Sequence, residues 1–304
     1  MKRFVSLLLC SLFCLPGAGA AEPALPELPD MLPTAYQKPM LEGAGIVCGI
    51  DYPSRDYTGD SAELTKHALV YLPAGYPEAG PYDLLVLCHG IGGTETEWGF
   101  QNPYGTGKTL VDQLIAKGEI RPLIIVMPNG RSTANYSDTS FNNMASFYTF
   151  GQELRNDLLP WMDAHYATYG AQTPDDLSAS RGHRYMAGLS MGGMQTINIG
   201  LCECLDLFCA FGAFSAAPTS NPAPVIAEEI KKFSDCPIRY FYSICGIQDT
   251  TAYASAAQAA KELPNYTDLL SEQNWHWQEC DGYHNFDIWN LGLFNFLRIL
   301  NSLQ

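Results

Sequence analysis

The chain has 304 residues and 47% hydrophobic content, enough to bury one large core or two modest ones. Its 32 acidic against 17 basic residues give a formal net charge of −15, a surface that repels phosphate backbones and argues against a nucleic-acid partner. No stretch is long and apolar enough to anchor the chain in a bilayer.

Residues 1–20 read as a secretory signal: Lys2 and Arg3, an apolar run from Phe4 to Leu15, then Ala18-Gly19-Ala20 as a cleavage site. Their removal takes the formal charge from −15 to −17, because they carry two basic residues and no acidic one. The mature protein is therefore expected to be soluble and exported, secreted or periplasmic, with no membrane association. Residues 21–40 hold Pro23, Pro26, Pro29, Pro33 and Pro39, which suits an extended linker or an arm lying on the surface. One folded domain is expected over residues 41–304.

That domain opens with β-like runs at Gly45–Tyr52 and Lys66–Leu72, the second ending in the turn cluster Pro73-Ala74-Gly75-Tyr76-Pro77. Strands and helices then alternate. Asp83–Cys88 is a buried strand, Lys108–Lys117 a helix, Leu123–Met127 a strand and Phe147–Tyr166 a long amphipathic helix. Tyr185–Ala187 is a strand leading into a helix over Met191–Leu201. Ala210–Phe214 and Ile238–Cys245 are strands, Ala252–Glu262 a helix, Trp275–Glu279 the last strand and Asn285–Leu300 the closing helix. Such alternation predicts an α/β fold, a mostly parallel central sheet with helices on both faces, whose ligands bind at the carboxyl ends of the strands.

Eight cysteines follow the signal, an even number that permits disulfides in an exported protein. Cys88 and Cys245, however, sit inside apolar strand runs and read as small buried hydrophobes. Cys202, Cys204 and Cys209 have no histidine or fourth cysteine at zinc-site spacing, so no metal is expected.

The stretch that carries chemistry is Gly188-Leu189-Ser190-Met191-Gly192, a G-x-S-x-G between a strand and a helix. At such a nucleophile elbow the serine hydroxyl is held out at the carboxyl edge of the sheet, and glycines stand where strand and helix come close. A serine needs a base to take its proton, and the base needs a third group to fix its tautomer. Asp249, after the strand Ile238–Cys245, and His284, after the last strand, follow Ser190 in the required order. His67, His165, His183 and His276 lie in strands, on a helix face or at a strand start, where bland roles suffice, and Asp281 and Asp287 flank the base on its own loop and helix. An oxyanion hole needs two N–H donors. Met191, at the start of the elbow helix, supplies one; the glycine-rich His89-Gly90-Ile91-Gly92-Gly93 supplies the other from Ile91, with Gly92 competing.

Taken together these residues resemble the esterase D-like α/β-hydrolases, and within them the feruloyl esterase modules of plant cell-wall degradation, of the carbohydrate esterase family 1 type. The resemblance rests on His89–Gly93 with Glu95 and Trp98, on residues 122–130, on Ala187–Gly193, on Ser215-Ala216-Ala217-Pro218, on Cys245-Gly246 with Asp249, and on His284-Asn285-Phe286 with Trp289 and Phe294. It implies the α/β-hydrolase fold, a Ser190, Asp249, His284 triad acting through an acyl-enzyme without cofactor or metal, and a feruloylated arabinoxylan as substrate. Acetyl xylan or another small acyl ester is the rival substrate, an acyltransferase uses the same triad, and a non-catalytic carbohydrate-binding or adhesion protein is the alternative of another class. Tyr283 departs from the glycine that many relatives place before the histidine. Trp98, Tyr136, Tyr283 and Trp289 are the expected substrate contacts, and Pro218–Pro237 is an insertion expected to form a wall or lid.

Overall fold

A computed structural model describes residues 25–40 and 42–303, so the expected signal lies outside the described residues. Eight strands form one sheet: β1 (Ile46–Arg55), β2 (Glu63–Leu72), β3 (Asp83–Cys88), β4 (Leu123–Pro128), β5 (Arg184–Leu189), β6 (Ala210–Phe214), β7 (Tyr240–Gly246) and β8 (Trp275–Cys280). Their order is β1-β2-β4-β3-β5-β6-β7-β8. β2 is antiparallel to both β1 and β4, and every other neighbouring pair is parallel. This is the α/β-hydrolase architecture anticipated from the alternation of strands and helices.

Burial on both faces explains why the inner strands read as unbroken apolar runs. Along β3, Leu84, Val86 and Cys88 point into one core and Leu85 and Leu87 into the other. β1 and β2 run farther than their apolar patterns suggested, to Arg55 and from Glu63, because the hairpin ends carry polar residues that the ladder still pairs. On the edge strand β1, Ile50, Tyr52 and Ser54 face inward while Asp51, Pro53 and Arg55 face out.

The helices are α1 (Thr106–Ala116), α2 (Phe150–Glu153), α3 (Leu159–His165), α4 (Met191–Gln195), α5 (Ala223–Lys231), α6 (Tyr253–Glu262) and α7 (Phe286–Ser302). A wide π turn, Leu154–Leu158, joins α2 to α3, and Pro160, which has no N–H to give, follows it. A second π turn, Thr196–Leu201, extends α4 where one continuous helix was expected. The segment Pro218–Pro237 is not a lid: it forms α5, which buries Ala223, Ile226, Ala227 and Ile230 against the main core.

The proline-rich arm is docked. Asn295 and Gln278 both donate to the Pro29 carbonyl, at 3.2 and 3.0 Å, and Arg298 donates to that of Glu27 at 2.7 Å. Leu28, Leu32 and Tyr36 pack on the core, with the Tyr36 ring edge-on to Phe294 at 4.7 Å and its hydroxyl on Glu119. The eight cysteines among the described residues are unpaired, with Cys88 and Cys245 buried in β3 and β7. Tyr36→Ala removes an aromatic pair and a hydrogen bond, and urea unfolding is expected to show a loss of about 1–3 kcal/mol.

Candidate active site

β5 is buried along its whole length and is followed by Ser190, whose backbone turns to φ 51°, ψ −113° before α4 begins. A non-glycine residue in such a conformation costs of order 1–3 kcal/mol and persists only where its surroundings fix it. Here Ser190 N–H donates to Phe214 O at 2.9 Å, and Ser190 O accepts from Met194 and Ala217 N–H at 3.0 and 2.9 Å. The turn requires two glycines. A Cβ on Gly188 would lie 2.6 Å from the Gly192 carbonyl carbon, and one on Gly192 would lie 2.6 Å from Cys88 O.

Three strand ends bring Ser190, His284 and Asp249 together. Ser190 Oγ is 3.0 Å from His284 Nε2, and His284 Nδ1 is 2.7 Å from Asp249 Oδ2. A proton on Nδ1 satisfies the carboxylate and leaves Nε2 to accept from the serine. Asp249 Oδ1 accepts the N–H groups of Thr251 and Ala252, both at 2.9 Å. Burial alone would raise the Asp249 carboxyl, but the His284 bond, the two N–H donors and the charge on His284 outweigh it and lower its pKa to about 2. It is therefore ionised throughout the neutral range. The His284 ring stands edge-on to Trp289, centroids 5.1 Å apart, so the base is braced from behind.

Beside Ser190 are the two expected donors. Met191 is the first residue of α4, so its N–H has no intrahelical acceptor. In the loop after β3, Gly93 N–H closes a turn onto Gly90 O at 3.2 Å, while the N–H groups of Ile91 and Gly92 find no acceptor among the described residues. Three side chains fix this loop. Glu97 accepts Gly90 N–H at 2.6 Å; the fully buried Arg131 donates to Gly93 O at 2.8 Å and to Ile91 O. His89 donates from Nδ1 to Gly90 O at 2.7 Å and accepts Gly130 N–H on Nε2 at 3.1 Å. That pattern demands a neutral imidazole. Burial lowers its pKa to about 3, with the charges of Arg131 and Lys66 acting in the same direction against the Gly90 bond. Ile91 and Met144 pack with Phe147, Met191, Met194 and Ala217 into an apolar patch next to Ser190.

The four expected substrate contacts have different surroundings. Trp98 is only 2% exposed, gives its Nε1–H to Cys88 O at 3.1 Å and packs edge-on to Phe214 and Phe286. It packs in the core beside the end of β3, because the chain after β3 folds back and carries the ring inward. Trp289 is likewise buried behind His284. Tyr136 is half-buried and anchored to β2, its hydroxyl donating to Thr65 O at 3.1 Å. Tyr283 alone stands out into solvent, 64% exposed and adjacent to His284. Glu97, His89 and Arg131 had no expected side-chain role. Only their proximity to glycine-rich turns signalled them.

Residues 61–269 match the family described as putative esterase. The chain is 31% identical over 261 residues to endo-1,4-beta-xylanase Y of Acetivibrio thermocellus, covering 82% of this chain and 22% of that protein. It is 30% identical over 237 residues to an endo-1,4-beta-xylanase/feruloyl esterase of Xylanibacter ruminicola, covering 74% of this chain and 29% of that one. The chain thus spans less than a third of the length of these curated relatives. Among solved structures it superposes on a serine-to-alanine mutant of the feruloyl esterase module from Clostridium thermocellum complexed with sinapinate, with TM-score 0.71, 27% identity and coverage of 88% and 92%. A ferulic acid esterase of Anaeromyces mucronatus, 20% identical, shares the fold with TM-score 0.73 over 91% of this chain and 99% of that one.

His89 generates a pH prediction. Its folded pKa of about 3 lies below the value of about 6.5 for a free imidazole, so below pH 6.5 the unfolded chain binds a proton that the folded chain refuses. Stability is expected to fall as pH drops from about 6.5 towards 3. In urea unfolding across that window, His89→Gln should show a shallower decline than wild type, whatever its stability at pH 7.

Proposed function

The chain belongs to the putative esterase family, and from that premise we propose that it is an exported serine carboxylic-ester hydrolase that releases ferulate or a related hydroxycinnamate from arabinoxylan. The observation that carries the reading is the unbroken line Asp249–His284–Ser190 on a strained elbow, with unbonded N–H groups alongside. In this mechanism His284 Nε2 takes the Ser190 proton as Oγ attacks the ester carbonyl, and Asp249 holds the imidazolium that forms. The tetrahedral oxygen is stabilised by the N–H groups of Met191 and Ile91. His284 returns the proton to the departing alcohol, leaving an acyl-Ser190, and then activates a water that releases the acid.

An aromatic acyl group is supported by the named activities of the relatives and by the apolar patch of Ile91, Met144 and Met191. A polymeric alcohol is supported by the distribution of exposed side chains. Tyr104, Phe141, Tyr148, Ile247 and Tyr283 all stand in segments that follow the carboxyl ends of strands, where a large substrate would lie across the site. Export is supported by the composition of residues 1–20.

Release of ferulate from methyl ferulate and from a feruloylated arabinoxylan oligosaccharide, measured beside acetate from acetylated xylan, tests the reading. Ferulate release is expected from both feruloyl substrates and should fall by roughly 10⁴–10⁶-fold in Ser190→Ala. Acetate without ferulate would refute the acyl group; no release from any ester would refute the hydrolase. Asp249→Asn leaves the imidazole in the wrong tautomer and should lower kcat about 10⁴-fold.

A further inference from the structure

The two oxyanion donors belong to separate elements, Ile91 to the loop after β3 and Met191 to the start of α4, and something must fix the distance between them. One short segment touches both. The end of β4 continues as Asn129-Gly130-Arg131, and each of its three carbonyls is taken by a buried side chain. Gln195, on α4, donates to Gly130 O at 2.8 Å and to Phe147 O at 3.0 Å. Gly130 N–H donates to His89, and the Arg131 guanidinium holds Ile91 O and Gly93 O. The segment therefore joins the donor-bearing loop to the donor-bearing helix.

Beneath it lies Lys66 of β2, which donates to Asn129 O at 3.0 Å and Arg131 O at 2.7 Å. The same ammonium contacts both oxygens of Glu153 at 3.1 and 3.0 Å, and Glu153 accepts the Tyr52 hydroxyl at 2.6 Å. Both side chains of the ion pair are fully buried. A buried pair contributes little net stability, because desolvation offsets its attraction, but it fixes geometry tightly. Gly130 leaves no slack either, since a Cβ there would lie 2.7 Å from Gln195 Oε1.

We propose that Asn129–Arg131 is a bracket that sets the spacing of the Ile91 and Met191 donors, and that Lys66, with Glu153 as its counter-ion, and Gln195 are positioning residues for the oxyanion hole. The inference rests on the esterase reading. None of the three touches substrate, so they act only through the donors, and only the transition state should register their loss.

The test uses the full chain and two variants. Lys66→Met/Glu153→Gln removes the pair without leaving a buried charge, and Gln195→Leu releases the bracket from α4. For each, kcat and KM on methyl ferulate are measured well below its unfolding temperature, together with the affinities for ferulate and for the trifluoromethyl ketone analogue, whose adduct with Ser190 carries a tetrahedral oxyanion. The expected result is a fall in kcat of at least about tenfold, KM within about twofold of wild type, an equal loss of affinity for the ketone and unchanged affinity for ferulate. A folded variant that keeps wild-type kcat, or that loses kcat without losing ketone affinity, overturns the bracket. If the double variant does not fold, Gln195→Leu alone decides. A wild type inactive on every ester overturns the esterase reading itself, whereas active variants of an active wild type overturn only the bracket.

Discussion

The positive φ of Ser190 is the constraint on which the rest of the site depends. It points the hydroxyl out of the sheet, and it survives because the backbone around it continues the sheet's register beyond the strands. Ser190 N–H reaches Phe214 O, Ser215 N–H reaches Ile244 O, and Ile247 N–H reaches Cys280 O. Each strand end is thereby bonded to the next strand across β5, β6, β7 and β8, so the loops bearing Ser190, Asp249 and His284 leave from a common backbone frame. Ser215 shares the unusual backbone, with φ 44°. The triad geometry is thus a property of the main chain before any side chain is considered.

Cations are buried in this acidic chain as well as carboxylates. The chain is strongly acidic, with a formal net charge of −15, yet Lys66, Arg131 and Arg184 are buried. Each is committed to backbone carbonyls: Lys66 to Asn129 and Arg131, Arg131 to Ile91 and Gly93, and Arg184 to Leu177. Lys66 and Arg184 also have a buried carboxylate, Glu153 and Asp163. A cation with several fixed donors can hold irregular chain where no strand or helix supplies partners. Lys66 and Arg131 thereby supply fixed partners to loops around the site that are rich in glycine and asparagine.

The sequence announced what depends on local pattern and chain order. Strand and helix alternation, the elbow glycines and the succession of Ser190, Asp249 and His284 were legible because each follows from spacing along the chain. Side-chain partners separated by many residues were not. Lys66 could have been noticed, since counting back by twos from Leu72, Val70 and Ala68 places it on the core face of β2. Nothing local, however, names Glu153, 87 residues away, as its partner. Trp98, an expected substrate contact, differs for the converse reason: the chain after β3 folds back and places the ring against Phe214 and Phe286. The segment Pro218–Pro237 resembled a loose insertion because its short apolar run is diluted by prolines and charges. Its apolar positions nevertheless share one helix face.

The outward face of β1 has a consequence for behaviour in solution. An outermost strand offers its unpaired edge as a template for another chain, and a flat apolar one would seed aggregates. Here Pro53 has no N–H to offer, and Asp51 and Arg55 flank it on the same outward face. On β8, the opposite outer strand, the Gln278 side chain reaches across one face of the sheet to Pro29 and Asp30 of the arm. Pro53 and its charged neighbours therefore make the Asp51–Arg55 end of β1 a poor template for a further strand.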